Sequence, residues 1–121
     1  MFELNRYIKT IILLSCVIVV FSCTPQYAHV PSDVISPEEF TEIIIDIRLA
    51  EAQQKVYRQK GFYDNDLIDS SYQMIYYLRG VTAEDDERSY AFYTEHPNWM
   101  EKISAKVIEK LYKRDEWNLL S

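Results

Sequence analysis

Few side chains in this chain have the type and spacing for chemistry. Glu51 lies in the run Ile44-Ile45-Asp46-Ile47-Arg48-Leu49-Ala50-Glu51-Ala52. At helical spacing it falls on the same face as Ile44 and Ile47, so its carboxylate should be partly buried and must then be paired. Three readings are open. Arg48 or Lys55 on its own helix can hold it and fix packing. A tyrosine or His96 from another helix can donate a hydrogen bond to it. It can also act as a functional acid or a ligand-binding carboxylate. Asp46 and Arg48, on the same helix, are further candidates for a structural or interacting polar role. His96 precedes Pro97 and reads as a group that caps or packs a helix junction. As a general base it lacks a serine or cysteine nucleophile with a legible partner. As a metal ligand it has only His29 for company, which leaves the chain without a metal-ligand spacing.

The ten tyrosines are many for 121 residues. Tyr72, Tyr76, Tyr77, Tyr90 and Tyr93 fall close together in sequence. They either fill gaps between helices with their hydroxyls in water, or form an aromatic face for a protein partner or a glycan. The run Glu84-Asp85-Asp86-Glu87 places acid at the start of a helix, where the helix dipole favours it. It lacks the glycine and the alternating oxygen ligands of an EF-hand loop. With two glycines in the whole chain, Gly61 and Gly80, there is no glycine-rich phosphate cradle. No catalytic residue, cofactor or metal is assigned on these grounds.

The two cysteines belong to a different chemistry. Val20-Phe21-Ser22-Cys23 closes an apolar run over residues 11–21, behind a basic start carrying Arg6 and Lys9. That order is the layout of a secretory signal peptide. A small residue before a cysteine at the end of such a run looks like a bacterial lipobox, which implies cleavage before Cys23 and attachment of lipid (palmitate among its acyl chains) to that residue. The run is about 12 residues long, short of the roughly 20 of a membrane-spanning helix. Leu13-Leu14-Ser15-Cys16 is a second string of this kind, but cleavage there would leave too short an export core. With Cys16 removed and Cys23 acylated, no thiol remains for a disulfide or a nucleophile, and packing alone must stabilise the domain.

Removing residues 1–22 leaves 99, one small domain with a modest core. The whole chain carries a net charge of −6, and the removed segment holds Glu3, Arg6 and Lys9, so the remainder is at −7. Such a balance has no electrostatic footprint for nucleic acid. It does not favour adsorption to anionic lipid either, so the acyl chains must do the anchoring.

The elements that would position these groups are all helical. Residues 24–35 read as a flexible tether, with Pro25, Pro31 and no period, spanning at most about 40 Å. Ser36-Pro37-Glu38-Glu39 starts a helix, with Ser36 as cap, Pro37 in the first turn and Glu39 completing a capping box. It should run to about Lys60, where Gly61 stops it. Phe40, Ile43, Ile44, Ile47 and Ala50 form one apolar stripe. Ile45, Leu49, Ala52 and Val56 form a second, nearly opposite, so this helix should be contacted from both sides. A second helix follows Asp64, with Leu67, Ser71, Ile75 and Leu78 inward and Gly80 at its end. Thr82 caps a third, with Asp85 in the capping-box position. Pro97 opens a fourth, with Met100, Ile103, Val107 and Leu111 as its core stripe. The tail after Lys113 should fray, with Trp117 and Leu119 available to dock.

These helices resemble a known family. The Ile44–Ala52 string above is similar to the first helix of the domain of unknown function 4296 family, short lipoproteins of Bacteroidetes-type bacteria. Ser71-Tyr72-Gln73-Met74-Ile75-Tyr76, ending at Gly80-Val81-Thr82, resembles its second signature. Tyr93-Thr94-Glu95-His96-Pro97 with Met100, Ile103 and Val107 resembles its third. The chain departs where the family commonly has a histidine, at Arg48, and where it has an apolar residue, at Glu87. The first departure weakens any metal or acid–base reading built on that histidine. The resemblance implies no activity, substrate or catalytic residue.

The expectation is an all-α bundle of three or four helices over residues 36–121, behind a signal peptide (1–22) and a lipidated cysteine with its tether (23–35). Its partners would be the lipid bilayer, through acylated Cys23, and an envelope protein. By resemblance to the sorting rules of some bacterial lipoproteins, Thr24 in place of an aspartate and the lack of an acidic cluster after Cys23 imply the periplasmic face of the outer membrane. The expected role is a non-enzymatic interaction or assembly module. Glu51, Asp46, Arg48, Tyr93 and His96 are its candidate polar contacts. The rival is a small periplasmic hydrolase or glycan-binding module, which would need a pocket where Glu51, His96 and tyrosines converge.

Overall fold

Helix signals in the sequence are met closely by a computed structural model, which describes residues 1–21 and 26–120. Five helices follow in order: α1 (Phe2–Phe21), α2 (Pro37–Gln59), α3 (Asn65–Arg79), α4 (Ala83–Glu95) and α5 (Pro97–Leu120). Among the described residues there is no strand. The expected three or four helices are the four over residues 37–120; α1 adds a fifth over the N-terminal apolar run. No helix is long and apolar enough to cross a membrane among the described residues. Ser22 and Cys23 lie outside the described residues.

Local chemistry sets the boundaries. The Ser36 hydroxyl accepts from the Glu39 amide, and Pro37 occupies the first turn of α2. The capping box expected there is only half present, because the Glu39 carboxylate faces Arg79 instead. At Thr82 the box is complete: Thr82 Oγ1 accepts from the Asp85 amide, and Asp85 Oδ2 accepts from the Thr82 amide, both at 3.0 Å. Gly80 ends α3 in the left-handed region at φ +68°, which a side chain would disfavour. Only His96 separates α4 from α5. The last helix continues to Leu120 rather than fraying after Lys113, and the side chains of Trp117 and Leu119 lie outside what is described.

As the two stripes of α2 imply, this helix is central, with α3 on one side and α5 on the other, while α4 packs on α5. The stripes themselves shift. Phe40, Ile43 and Ile45 are buried, whereas Ile47 is half-buried and Leu49, Ala52 and Val56 are exposed. The core joins Phe40 and Ile45 to Tyr93 of α4 and Ile103 and Val107 of α5, with Met100 and Leu111 packed against it. Each such side chain contributes on the order of 2 kcal/mol on burial. Phe40 stacks on Tyr93 at 4.9 Å between centroids, and Phe92 meets Tyr93 edge-on at 5.3 Å. The inward face of α3 is the expected one only in part, at Ser71 and Ile75. Ile68, Tyr72, Ile75, Tyr76 and Arg79 are half-buried, while Leu67 and Leu78 are exposed. No residue of α3 is fully buried.

The expected flexible tether is corrected in its second part. Residues 26–36 form no helix, yet they lie as a strap on the bundle. Val34 is buried in the core and Val30 and Ile35 pack against it. Ser89 Oγ accepts the Ile35 amide at 2.8 Å, and Tyr93 donates its hydroxyl to the Ile35 carbonyl. Asn98 and Trp99 donate side-chain N–H groups to the Gln26 and Ala28 carbonyls at 2.8 and 2.7 Å. The strap has no period because it is irregular, with a turn closed by the Val34 amide on the Pro31 carbonyl, and its backbone groups at Gln26, Ala28 and Ile35 find partners on α4 and α5.

Candidate functional site

Of the polar residues singled out in the sequence, the fold pairs Arg48 with Glu51, and Asp46, Tyr93 and His96 have side-chain partners outside that set. Glu51 receives Arg48 Nη1 on Oε2 at 3.4 Å and the Tyr72 hydroxyl on Oε1 at 2.9 Å. Two of the three sequence readings thus hold together: a partner on its own helix and a tyrosine from another. Burial, followed by the hydrogen bond to Glu51, pushes the Tyr72 hydroxyl above its ordinary pKa. His96 is not the donor. Its Nδ1 lies 2.7 Å from the Phe92 carbonyl, which can only accept, so Nδ1 carries the proton. Its ring stacks on Phe92 at 4.2 Å, and its amide closes the end of α4 on the Tyr93 carbonyl.

Asp46 belongs to an ion cluster that the sequence reading did not assemble. Arg79 Nε and Nη2 reach Asp46 Oδ2 at 2.9 and 2.8 Å, with Glu39 and Glu42 at 3.8 and 4.0 Å. Lys110 of α5 completes the cluster by donating to Glu42. The hydrogen bond from Lys110 holds the Glu42 carboxyl below its usual value, and that to Asp46 raises Arg79. The signal was present: Glu39, Glu42 and Asp46 are spaced three and four apart, which places three carboxylates on one helix face awaiting cations.

Tyrosines divide into two groups. Tyr93 is fully buried, so its hydroxyl is not wet as expected but bonded to Ile35, and burial pushes its pKa up to about 12. Tyr76 donates to Asp86 Oδ2 at 2.9 Å and is likewise raised to about 12, by burial first and then by Asp86. Burial also raises Asp86, against the lowering effect of that hydrogen bond. Tyr77 and Tyr90 stay exposed, at 81% and 60%. Asp85 is engaged in the Thr82 cap and by Arg88 at 3.2 Å, so the acidic run is divided among structural duties. Among the described residues no cluster of three or more potential metal ligands occurs.

What remains as a candidate site is apolar. A cleft of about 540 Å³ runs between α2, α4 and α5, lined by Ile44, Tyr90, Met100, Val107, Ile108 and Leu111, with Arg48 at its edge. Ile108 is 68% exposed, and Tyr112, one turn on, is 72% exposed. A shallower cleft between α2 and α3 is lined by Leu49, Met74 and Leu78. Neither cleft is lined by Glu51 or His96. The first offers shape and apolar area and little to activate a bond: it suits an inserted side chain better than a reacting one. The sequence placed Met100, Val107 and Leu111 on the core stripe, and nothing in their period distinguishes a fully covered face from one that is left partly open.

A family model described as "Domain of unknown function (DUF4296)" matches residues 31–116, which takes in the strap from Pro31, helices α2 to α4 and most of α5. No curated protein and no solved structure matches the chain.

Proposed function

We propose that this chain, which belongs to the DUF4296 family, is an envelope lipoprotein, held through acylated Cys23 at the periplasmic face of the outer membrane, and that it binds a protein partner there in an assembly or maintenance role. The observation that carries the binding role is the open apolar cleft between α2, α4 and α5, with Tyr90 and Ile108 exposed on it. Exposed apolar area rimmed by polar groups is what a docking surface requires. An amphipathic segment of the partner would seat its apolar side chains against Ile44, Met100 and Leu111. The anchor rests on the basic start, the short apolar run and the small residue before Cys23. The hydrolase or glycan-binding alternative needed Glu51, His96 and tyrosines around one pocket, and these residues are instead engaged separately in packing.

The binding role is tested with a photo-crosslinking residue at position 112 in living cells. A discrete adduct is expected, lost with Ile108→Glu or Tyr90→Ala at unchanged melting temperature. The same residue at position 74, on α3, should give none. Equal adducts from both positions, or an adduct insensitive to Ile108→Glu, would defeat the cleft as the binding surface. For the anchor, Cys23→Ala should abolish acyl labelling and leave the precursor uncut. Labelling that persists in that variant would show the lipobox reading to be wrong.

A further inference from the structure

We infer that the corner where α4 meets α5, with Tyr27, Trp99 and Lys102, rests on the phospholipid surface of the membrane that holds the chain, so that the domain stands on the bilayer in one orientation. The inference rests on the anchor proposed at Cys23. Asn98 Nδ2 binds the Gln26 carbonyl at 2.8 Å, and Trp99 Nε1 binds the Ala28 carbonyl at 2.7 Å. The strap is therefore fastened to the start of α5 from its first described residue. Three peptide steps separate Cys23 from Gln26, a reach of at most about 11 Å. A free tether of the length expected from sequence would have allowed about 40 Å. The docked strap removes most of that freedom and keeps this corner near the headgroups.

The side chains at the corner suit that position. The Tyr27 and Trp99 rings lie 4.6 Å apart. The Lys102 ammonium sits 4.8 Å over the first and 5.3 Å over the second. Tyr27 is 41% exposed. Tyrosine settles at the level of lipid headgroups, where an apolar ring and a polar edge are both satisfied, and Trp99, half-buried with its N–H on Ala28, backs the Tyr27 ring from the core side. A lysine beside them keeps its stem on the rings and its charge among the phosphates. Met100, the next residue after Trp99, already lines the apolar cleft. One end of the proposed partner site thus lies close to the membrane as well.

The test uses the full chain, expressed in a lipoprotein-processing bacterium and reconstituted into phosphatidylethanolamine–phosphatidylglycerol vesicles containing a headgroup-spin-labelled phosphatidylcholine. Trp117→Phe leaves Trp99 as the single tryptophan. Its fluorescence should be largely lost to the spin label. A glycine–serine spacer of about ten residues inserted after Thr24, adding up to ~35 Å of reach, should restore it. Acylation of Cys23 is read separately by mass spectrometry. An acylated protein whose Trp99 is not quenched, or is quenched equally with the spacer, overturns the inference and leaves the anchor standing. Quenching in a protein that is not acylated overturns the lipid anchor and, with it, the inference that rests on it. Absence of both acylation and quenching overturns both.

Discussion

The Tyr93 hydroxyl donates to the carbonyl of Ile35, 58 residues earlier, at 2.6 Å from a ring with no solvent exposure. Two residues thereby tie the strap to the centre of the core. Tyr93→Phe keeps the ring and its stacking on Phe40 but leaves that carbonyl without its partner. It should cost about 1–3 kcal/mol in denaturant unfolding. Ser89→Ala removes the acceptor of the Ile35 amide and should couple to it in a double-mutant cycle, because both act on one peptide segment. Additive effects would show that the two bonds hold the strap independently.

Ile45→Ala should destabilise the domain by about 2–5 kcal/mol, since the side chain is fully buried against the core cluster. Ile47→Ala should cost clearly less, because Ile47 is only half-buried. The comparison by chemical unfolding distinguishes the observed burial from the simple stripe read along α2. Equal losses would restore the stripe.

Arg79→Ala should free α3 more than it destabilises the whole. This helix buries no residue completely and depends on Arg79–Asp46, Tyr72–Glu51 and Tyr76–Asp86 for its position. A partly exposed ion pair contributes about 1 kcal/mol or less. Hydrogen exchange should rise over residues 65–79 and stay slow near Ile103. Uniform acceleration across all helices would mean that α3 unfolds only with the rest.

Two carboxylates should give opposite pH signatures. Glu42 has its folded pKa below 4.5, so its contribution is present above that value and lost as pH falls through the lowered one. Glu42→Gln should therefore lower stability at neutral pH and flatten the acid loss. Asp86 has its folded pKa above 3.8, so its ionisation opposes folding, an effect that sets in as pH rises through 3.8 and is complete above the raised value. Asp86→Asn retains an oxygen for the Tyr76 hydroxyl and should match or exceed the parent at pH 7. Its advantage should vanish below about pH 3.8, where Asp86 is protonated in both states. Melting temperatures from pH 7 down to 3 read both effects.

Glu51→Gln and His96→Ala should act through stability, because each group serves a contact between helices or at a helix end. Tyr90→Ala should leave the melting temperature nearly unchanged and weaken partner capture. A Glu51→Gln protein that is fully folded but without function in cells would reverse this assignment and point to a ligand at Glu51.

Helix identity was legible wherever a cap and a period coincided. Ser36-Pro37, Thr82 with Asp85, Gly80 and Pro97 each mark a boundary that the fold uses, and the Ile103–Val107 spacing is a true core stripe. The strap was not legible. Val30, Val34 and Ile35 have no period, and Pro25 and Pro31 read equally well as linker, so only partners more than 50 residues away give them a place. On α2 the period allowed two stripes, but how much of each is covered depends on where α3 lies. That position is set by Arg79 and by two tyrosine hydroxyls rather than by Leu67 or Leu78. The apolar cleft was hidden for the same reason: period locates a face, and only tertiary packing decides how far it is closed.

Fastening the strap to Ser89, Tyr93, Asn98 and Trp99 also dictates an order of events in time. The bonds that complete the N-terminal edge of the domain join residues 54 to 72 positions apart. Such distant pairs form late, after the intervening chain has been laid down. A chain delivered from its N-terminus can therefore finish this edge only when α4 and the start of α5 have emerged. Until then the strap stays unfastened, and the domain completes its N-terminal edge only as its C-terminal helices arrive.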